Sequence, residues 1–243
     1  MTRFRVLPDA SAVAEATADR FVAAARGAIE ANGVFRVALS GGSTPSAAYP
    51  LILEPARRDT VDWSRVEFFW GDERAVPPDD PESNFGVAYQ MLIAQLPNVR
   101  PDLVHRMPAE APDIDAAALS YEGELRLAFG ARGSEPPTFD LIWLGMGPDG
   151  HLASLFPGTL ALEEAERWVV GNWVPSMETW RMTLTFPVLN AARRVIFAVT
   201  GADKAAALRE VRAGGSGLPA EEVAGRRVEW IVDAAAAGER EHA

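Results

Sequence analysis

The 243-residue sequence contains no cysteine and only one lysine. Without cysteine there are no disulfides, no thiolate nucleophile and no cysteine-based zinc site, which fits a cytoplasmic protein. Histidine is scarce as well, with His105, His151 and His242 the three in the chain. No run approaches the roughly 18 apolar residues that a membrane-spanning helix needs, so no membrane partner is expected. The opening stretch MTRFRVLPDASAVAEATADR has no apolar segment of the signal-peptide kind and soon turns acidic. Positive charge is also short: 23 basic residues face 34 acidic ones, for a formal net charge of -11. General nucleic-acid binding requires a basic face to displace counterions, so no nucleic-acid partner is expected. An anionic ligand would instead need its positive groups concentrated locally. Every basic residue but Lys204 is arginine. Arginine-biased codon usage with one survivor explains that, and so does a site needing the compact charge of an ammonium group.

What is present is the pattern of an ordinary folded chain, 48% hydrophobic and 23% charged. Its length buries about three-quarters of the unfolded surface, and with no repeat or long linker one domain over 1–243 is expected. Periodicity predicts a helix over 11–31, closed by Asn32-Gly33, and a strand over 34–40. It also predicts a short helix over 46–53, a strand over 65–71, and helices over 84–96 and 113–129. Further strands are predicted at 139–144, 194–200 and in VEWIVD (228–233), and the 167–199 stretch has room for antiparallel strands. Short apolar strands separated by helices predict an α/β fold, a doubly wound, mostly parallel sheet of Rossmann-like type covered on both faces. The tail AAAAGEREHA reads as a frayed end in which His242 has no role.

Polar clusters follow four of the strands: GGSTP after 34–40, DER after 65–71, GMGPDGH after 139–144 and GADK after 194–200. In a doubly wound sheet the carboxyl ends of the strands share one edge, so clusters far apart in sequence can meet in one cleft. Gly41 and Gly42 allow close backbone approach, and the turn's amides with the Ser43 and Thr44 hydroxyls can hold a phosphate at a helix N-terminus. A simple helix cap by Ser43 or Thr44 is the competing reading. Asp72 and Arg74 would face a substrate hydroxyl and an anion, or would form only a surface ion pair. Asn84 fits either a helix cap or a supporting hydrogen-bond donor. Gly145, Gly147 and Gly150, with Pro148, fold the backbone so that Asp149 and His151 can pair, and imidazole suits general-base work near neutrality. With no second histidine or cysteine beside His151, no zinc site is expected. Arg181, heading a strand, and Lys204, placed one turn into a helix, would supply cations. No G-x-S-x-G elbow supports a serine nucleophile.

Taken together, ALSGGSTP, FFWGDERAVPPDDPESNFG, FDLIWLGMGPDGHLASLFPGT and RMTLTFPVLNAARRVIFAVTGADKAAAL resemble the 6-phosphogluconolactonase family, within the larger group that includes glucosamine-6-phosphate deaminases/isomerases. The motifs fall in the family's order over about residues 34 to 210. The resemblance implies hydrolysis of 6-phospho-D-glucono-1,5-lactone to 6-phosphogluconate, the second step of the oxidative pentose phosphate pathway, without metal or cofactor. It implies His151 as the base that activates water, with Asp149 its neighbour in the motif. Gly42, Ser43 and Thr44 would hold phosphate, Arg181 and Lys204 would complete that site, and Arg74 would face the substrate's anionic or carbonyl end. The deaminase branch is the alternative, but its comparable stretch carries a glutamate where this chain has Phe156, and D-E-Y where it has Asp72-Glu73-Arg74. Before Arg181 the chain reads VPSMETW, where some lactonases have a Lys-Pro-rich stretch, so that segment's contact in them is not carried over. A non-catalytic sugar-phosphate sensor is the other alternative, although no residues are spare for the DNA-binding module such regulators carry. The expected partner is a phosphorylated sugar lactone met by a monomer.

Overall fold

Strands built from unbroken apolar runs need cover on both faces, and VEFFW, LIWL and VIFAV are buried along their whole lengths. In the computed structural model, residues 2–239 are described, so His242 lies outside the described residues. In chain order these form β1 (Thr2–Leu7), α1 (Ala10–Asn32), β2 (Phe35–Leu39), α2 (Ser43–Ile52), α3 (Pro55–Arg58), β3 (Val66–Trp70), β4 (Asp72–Arg74), α4 (Asn84–Met91), α5 (Ile114–Phe129), β5 (Leu141–Leu144), β6 (Val169–Val174), β7 (Thr179–Leu184), α6 (Phe186–Ala191), β8 (Val195–Val199), α7 (Ala205–Ala213) and β9 (Val228–Asp233). The main sheet is six-stranded and parallel, in the order β1-β9-β8-β5-β2-β3.

Alternating side chains divide the core into two layers. On one face Trp143 meets Phe21 of α1 and Tyr49 of α2, at centroid distances of 6.0 and 5.7 Å. On the other, Phe197 stacks on Trp230 at 3.9 Å, and Trp230 on Phe4 at 5.4 Å. There Arg212 of α7 lies over the Phe4 ring. Each such large side chain, fully buried, contributes about 1.5–3 kcal/mol. Helix α1 has clean ends: the Asp9 carboxylate accepts from the Ala12 amide, and Gly33, at φ 78°, donates to the Ile29 carbonyl.

The structure departs from the sequence reading at several points. β1 was not predicted, and it pairs in parallel with β9 at the sheet edge. The helix predicted over 84–96 ends at Met91 and is followed by a 3-10 turn, Ile93–Gln95. The DER cluster, given no element from the sequence, is a strand, β4, which joins β6 and β7 in a separate antiparallel sheet, β4-β7-β6. Gly71 makes the transfer: its amide donates to Leu39 of the main sheet, while its carbonyl accepts from Leu184 of β7. Helix α5 packs against this smaller sheet.

Candidate active site

The chain winds outward from β2 to β3 on one side, and through β5, β8 and β9 on the other, so strand order reverses between β2 and β5. Segments leaving the carboxyl ends of neighbouring strands diverge at such a reversal and leave a crevice. A cleft of about 240 Å³ occupies this position, and residues from GGSTP, DER, GMGPDGH and GADK line it together.

Behind β2, Gly42 takes φ 94° and delivers the chain into α2, which starts at Ser43 rather than at residue 46. Ser43 and Thr44 therefore lie in the first helical turn, and no side chain caps the helix, so the simple-cap reading fails. The uncapped amides and the positive end of the helix face the cleft with Gly41 and Gly42. The Thr44 hydroxyl is hydrogen-bonded at 2.8 Å to that of Thr200, a cleft residue just past β8 that the sequence reading missed. Gly41 is required for a specific reason: a Cβ there would stand 1.7 Å from Asn84 Oδ1.

Asn84 is the first helical residue of α4, capped by Ser83 rather than capping it. It is buried and donates to the Asp72 carbonyl and carboxylate. Asp72 lines the cleft but is itself buried, with Oδ2 accepting from Ser154 Oγ at 2.7 Å and Oδ1 from Asn84 at 3.2 Å. It ties the 145–157 loop to β4 and makes no ion pair with Arg74 among the described residues. Glu73, given no role from sequence, accepts from the amides of Arg74, Asn84 and Phe85 and from Ser83 Oγ. Burial pushes its carboxyl pKa up, with those amide donors holding part of the rise in check. Little in the local sequence marks these roles, because apart from the adjacent Arg74 amide the partners lie 10 to 82 residues away.

Arg74 lines the cleft, donating from Nη1 to the Glu82 carbonyl while its buried Nε has no partner among the described residues. Arg181, on β7, is its cross-strand neighbour; it is buried, and its Nε too has no partner among the described residues. Burial, then the charge of Arg74, lowers the Arg181 pKa. Arg181 is not in the wall of the cleft, and it lies in mid-strand rather than at the strand head. Lys204 does line the cleft, from a 3-10 turn that precedes α7 rather than from inside the helix. Its Nζ lies 2.5 Å from Asp203 Oδ2.

The loop after β5 is drawn tight by two backbone bonds, Gly147 N–H to the His151 carbonyl and Gly150 N–H to the Gly147 carbonyl. Gly150 turns the chain at φ 78°, and Ala153, a non-glycine residue, is held at φ 45° on the cleft wall. A Cβ on Gly147 would fall 2.1 Å from His151 Nδ1 and 2.7 Å from Asp149 Oδ1, so only glycine leaves this pair its space. His151 Nδ1 is 2.6 Å from Asp149 Oδ1, and the ring stacks on Phe156 at 3.9 Å. Burial would raise the Asp149 pKa, but the hydrogen bond and charge of His151 bring it below its ordinary value. With Nδ1 donating to this carboxylate, Nε2 is left as the basic nitrogen of an imidazole that lines the cleft. Asp149 itself stands behind the ring, outside the wall. The arrangement can take a proton at one end of the cleft and hold a phosphate at the other.

Residues 8–232 match the family model described as glucosamine-6-phosphate isomerases/6-phosphogluconolactonase. A 6-phosphogluconolactonase of Streptomyces coelicolor is 37% identical over 240 residues, covering 95% of this chain and 92% of that protein. One of Synechocystis is 42% identical over 185 residues, covering 76% and 74%. Among solved structures, 6-phosphogluconolactonase from Trypanosoma cruzi superposes with TM-score 0.86 at 29% identity, over 99% and 97% of the two chains. That from Thermotoga maritima gives 0.82 at 30%, over 96% and 100%. A monomeric glucosamine-6-phosphate deaminase shares the fold, with TM-score 0.80 at 20% identity.

Proposed function

This chain belongs to the glucosamine-6-phosphate isomerase/6-phosphogluconolactonase family, and from that membership and its cleft we infer that it hydrolyses 6-phosphogluconolactone to 6-phosphogluconate. The substrate is a phosphorylated sugar lactone, in our reading the 1,5-lactone. The observation that carries the mechanism is the His151–Asp149 pair at 2.6 Å on the cleft wall.

His151 Nε2 takes a proton from water as the oxygen bonds to the lactone carbonyl carbon. The carbonyl becomes a tetrahedral alkoxide, and Arg74, whose Nε has no partner among the described residues, supplies positive charge to it. Collapse of the alkoxide breaks the bond to the ring oxygen, which leaves with the proton returned from His151. Asp149 fixes the ring tautomer and stabilises the imidazolium while it exists. The phosphate is held by Lys204, the α2 amides and the Ser43 and Thr44 hydroxyls. Arg181 raises the potential behind Arg74 from the neighbouring strand. Phe156, stacked against His151, occupies space where a deaminase would need a proton-transferring carboxylate. A base contributes about 10²–10⁴ in rate, which suffices for an ester already prone to open.

The reading includes a single domain acting as a monomer, which light scattering on the purified chain checks. The absence of cysteine supports a cytoplasmic setting, which fractionation of the source cells checks. The deciding experiment follows acid release from fresh 6-phosphogluconolactone above the spontaneous rate. Wild type is expected to be fast and His151→Ala slower by at least about 10²-fold with binding of 6-phosphogluconate retained. Full activity in the variant refutes the base assignment. Ammonia from glucosamine 6-phosphate would place the chain on the deaminase branch, and silence with both substrates would favour a sensor.

A further inference from the structure

At the opposite edge of the six-stranded sheet, where β1, β8 and β9 begin, a second cavity of about 460 Å³ opens. Its wall carries Arg3, Arg20, Arg194, Arg226 and Arg227, against one acidic residue, Glu229. Glu229 is committed to Arg20, whose Nε reaches its two carboxylate oxygens at 3.0 and 2.9 Å. Among the described residues, no carboxylate pairs with the side chains of Arg3, Arg194 or Arg227. Acidic residues outnumber basic ones 34 to 23, and elsewhere a single guanidinium, Arg57, gathers Glu15, Asp19 and Glu54.

Like charges held together without counter-charges repel, and a bound anion removes that cost. Guanidinium forks match phosphate oxygens in pairs, which a lone ammonium cannot do. The apolar part of the lining is the exposed Ala23 above a floor of Val195, Ile196 and Val228, which are almost fully buried. The cavity is about twice the volume of the catalytic cleft, within the range of small-molecule sites. It is also separate from that cleft. β8 enters the arginine cavity at Val195 and Ile196 and reaches the cleft at Ala198 and Val199, so the two sites sit at opposite ends of one strand.

We propose that this arginine cavity binds a multiply charged phosphate ester with an apolar body, of nucleoside-diphosphate size, distinct from the lactone. The arginines take the phosphates and the apolar lining takes the base. No residue of this cavity is in the catalytic cleft, so the unliganded enzyme turns over without it.

The test is calorimetric titration of the full chain with ADP and, separately, with inorganic pyrophosphate, keeping 6-phosphogluconate saturating so that the catalytic cleft is filled. Saturable 1:1 binding is expected, tighter for ADP, and weakened at least tenfold in Arg194→Ser/Arg227→Ser, whose lactone hydrolysis stays at the wild-type level. Absence of binding, or binding unchanged in the double variant, overturns the proposal. Pyrophosphate binding as tightly as ADP overturns the role of the apolar lining. Should the double variant fold poorly, Glu229→Gln removes the cavity's one negative charge and frees Arg20. It is expected to tighten ADP binding severalfold, and unchanged or weaker binding there also counts against the site.

Discussion

His105 gives a stability prediction that can be worked through in numbers. Its side chain is 12% exposed, stacked on Phe69 at 4.5 Å and set between Glu124 at 2.7 Å and Glu67 at 3.2 Å. Burial alone would lower its pKa, but hydrogen bonds and charge from the two glutamates raise it from 6.5 to about 9. A group that binds its proton more tightly when folded stabilises fully below its unfolded pKa, and that contribution disappears as pH rises through the folded one. The window is therefore about pH 6.5 to 9. At ~1.36 kcal/mol per pH unit across it, the protonated histidine contributes about 3 kcal/mol at or below pH 6.5 and almost nothing above pH 9.5. The consequence reaches the catalytic cleft, because the His105 amide donates to the Phe68 carbonyl in β3, the strand that leads into Asp72 and Arg74. The assay is urea unfolding followed by tryptophan fluorescence at pH 6.5, 7.5, 8.5 and 9.5, for wild type and His105→Gln. Taking the difference between the two removes the titration of every other group. That difference should shrink by about 3 kcal/mol from the lowest to the highest pH. An equal difference at both ends would refute the reasoning, since it would mean that packing on Phe69, not charge, is what the ring supplies.

The remaining expectations concern the cleft. Asp149→Asn should lower kcat by about 10–10³-fold and leave KM nearly unchanged, because the carboxylate acts on the imidazolium formed in the transition state; its partial exposure screens the charge and keeps the loss below that of a buried pair. Steady-state kinetics on fresh lactone checks this, and an unchanged kcat would remove Asp149 from the mechanism. Lys204→Ala should raise KM about tenfold or more with kcat largely retained, because phosphate binding holds ground and transition states alike. A fall in kcat at constant KM would contradict that role. Gly147→Ala puts a methyl 2.1 Å from His151 Nδ1, so the ring must move, and turnover should drop at least tenfold in a folded protein. Wild-type turnover would show that the ring position is not critical.

Much of the fold is legible in one dimension because its cause is local. The apolar runs at 66–70, 141–144 and 195–199 read as doubly covered strands, and α1 shows its Gly33 stop in the sequence. β1 escaped because RFRV alternates with arginine and looks like a polar lead-in; its partner is β9, more than 220 residues away. DER escaped as a strand for a related reason. Three residues carry no period, and only pairing with β7 makes them one.

The cleft divides the same way. That His151 and Asp149 can pair, that glycines must surround them, and that GGSTP can meet a phosphate all follow from residue types two to four positions apart. Strand order lay beyond the sequence: β5 and β8 had to insert beside β2 before Gly42, His151 and Lys204 could share one wall. So did the counter-charges. Sequence left Asp72 between a substrate hydroxyl and a surface ion pair; tertiary packing sets it in the cleft wall with its carboxylate engaged by Ser154 and Asn84, and leaves Arg74 and Arg181 side by side without an acid among the described residues. The physical reason is the range of the forces. Dihedral preference and periodicity act over a few residues, while burial and Coulomb interactions depend on distances through space that only the folded chain defines.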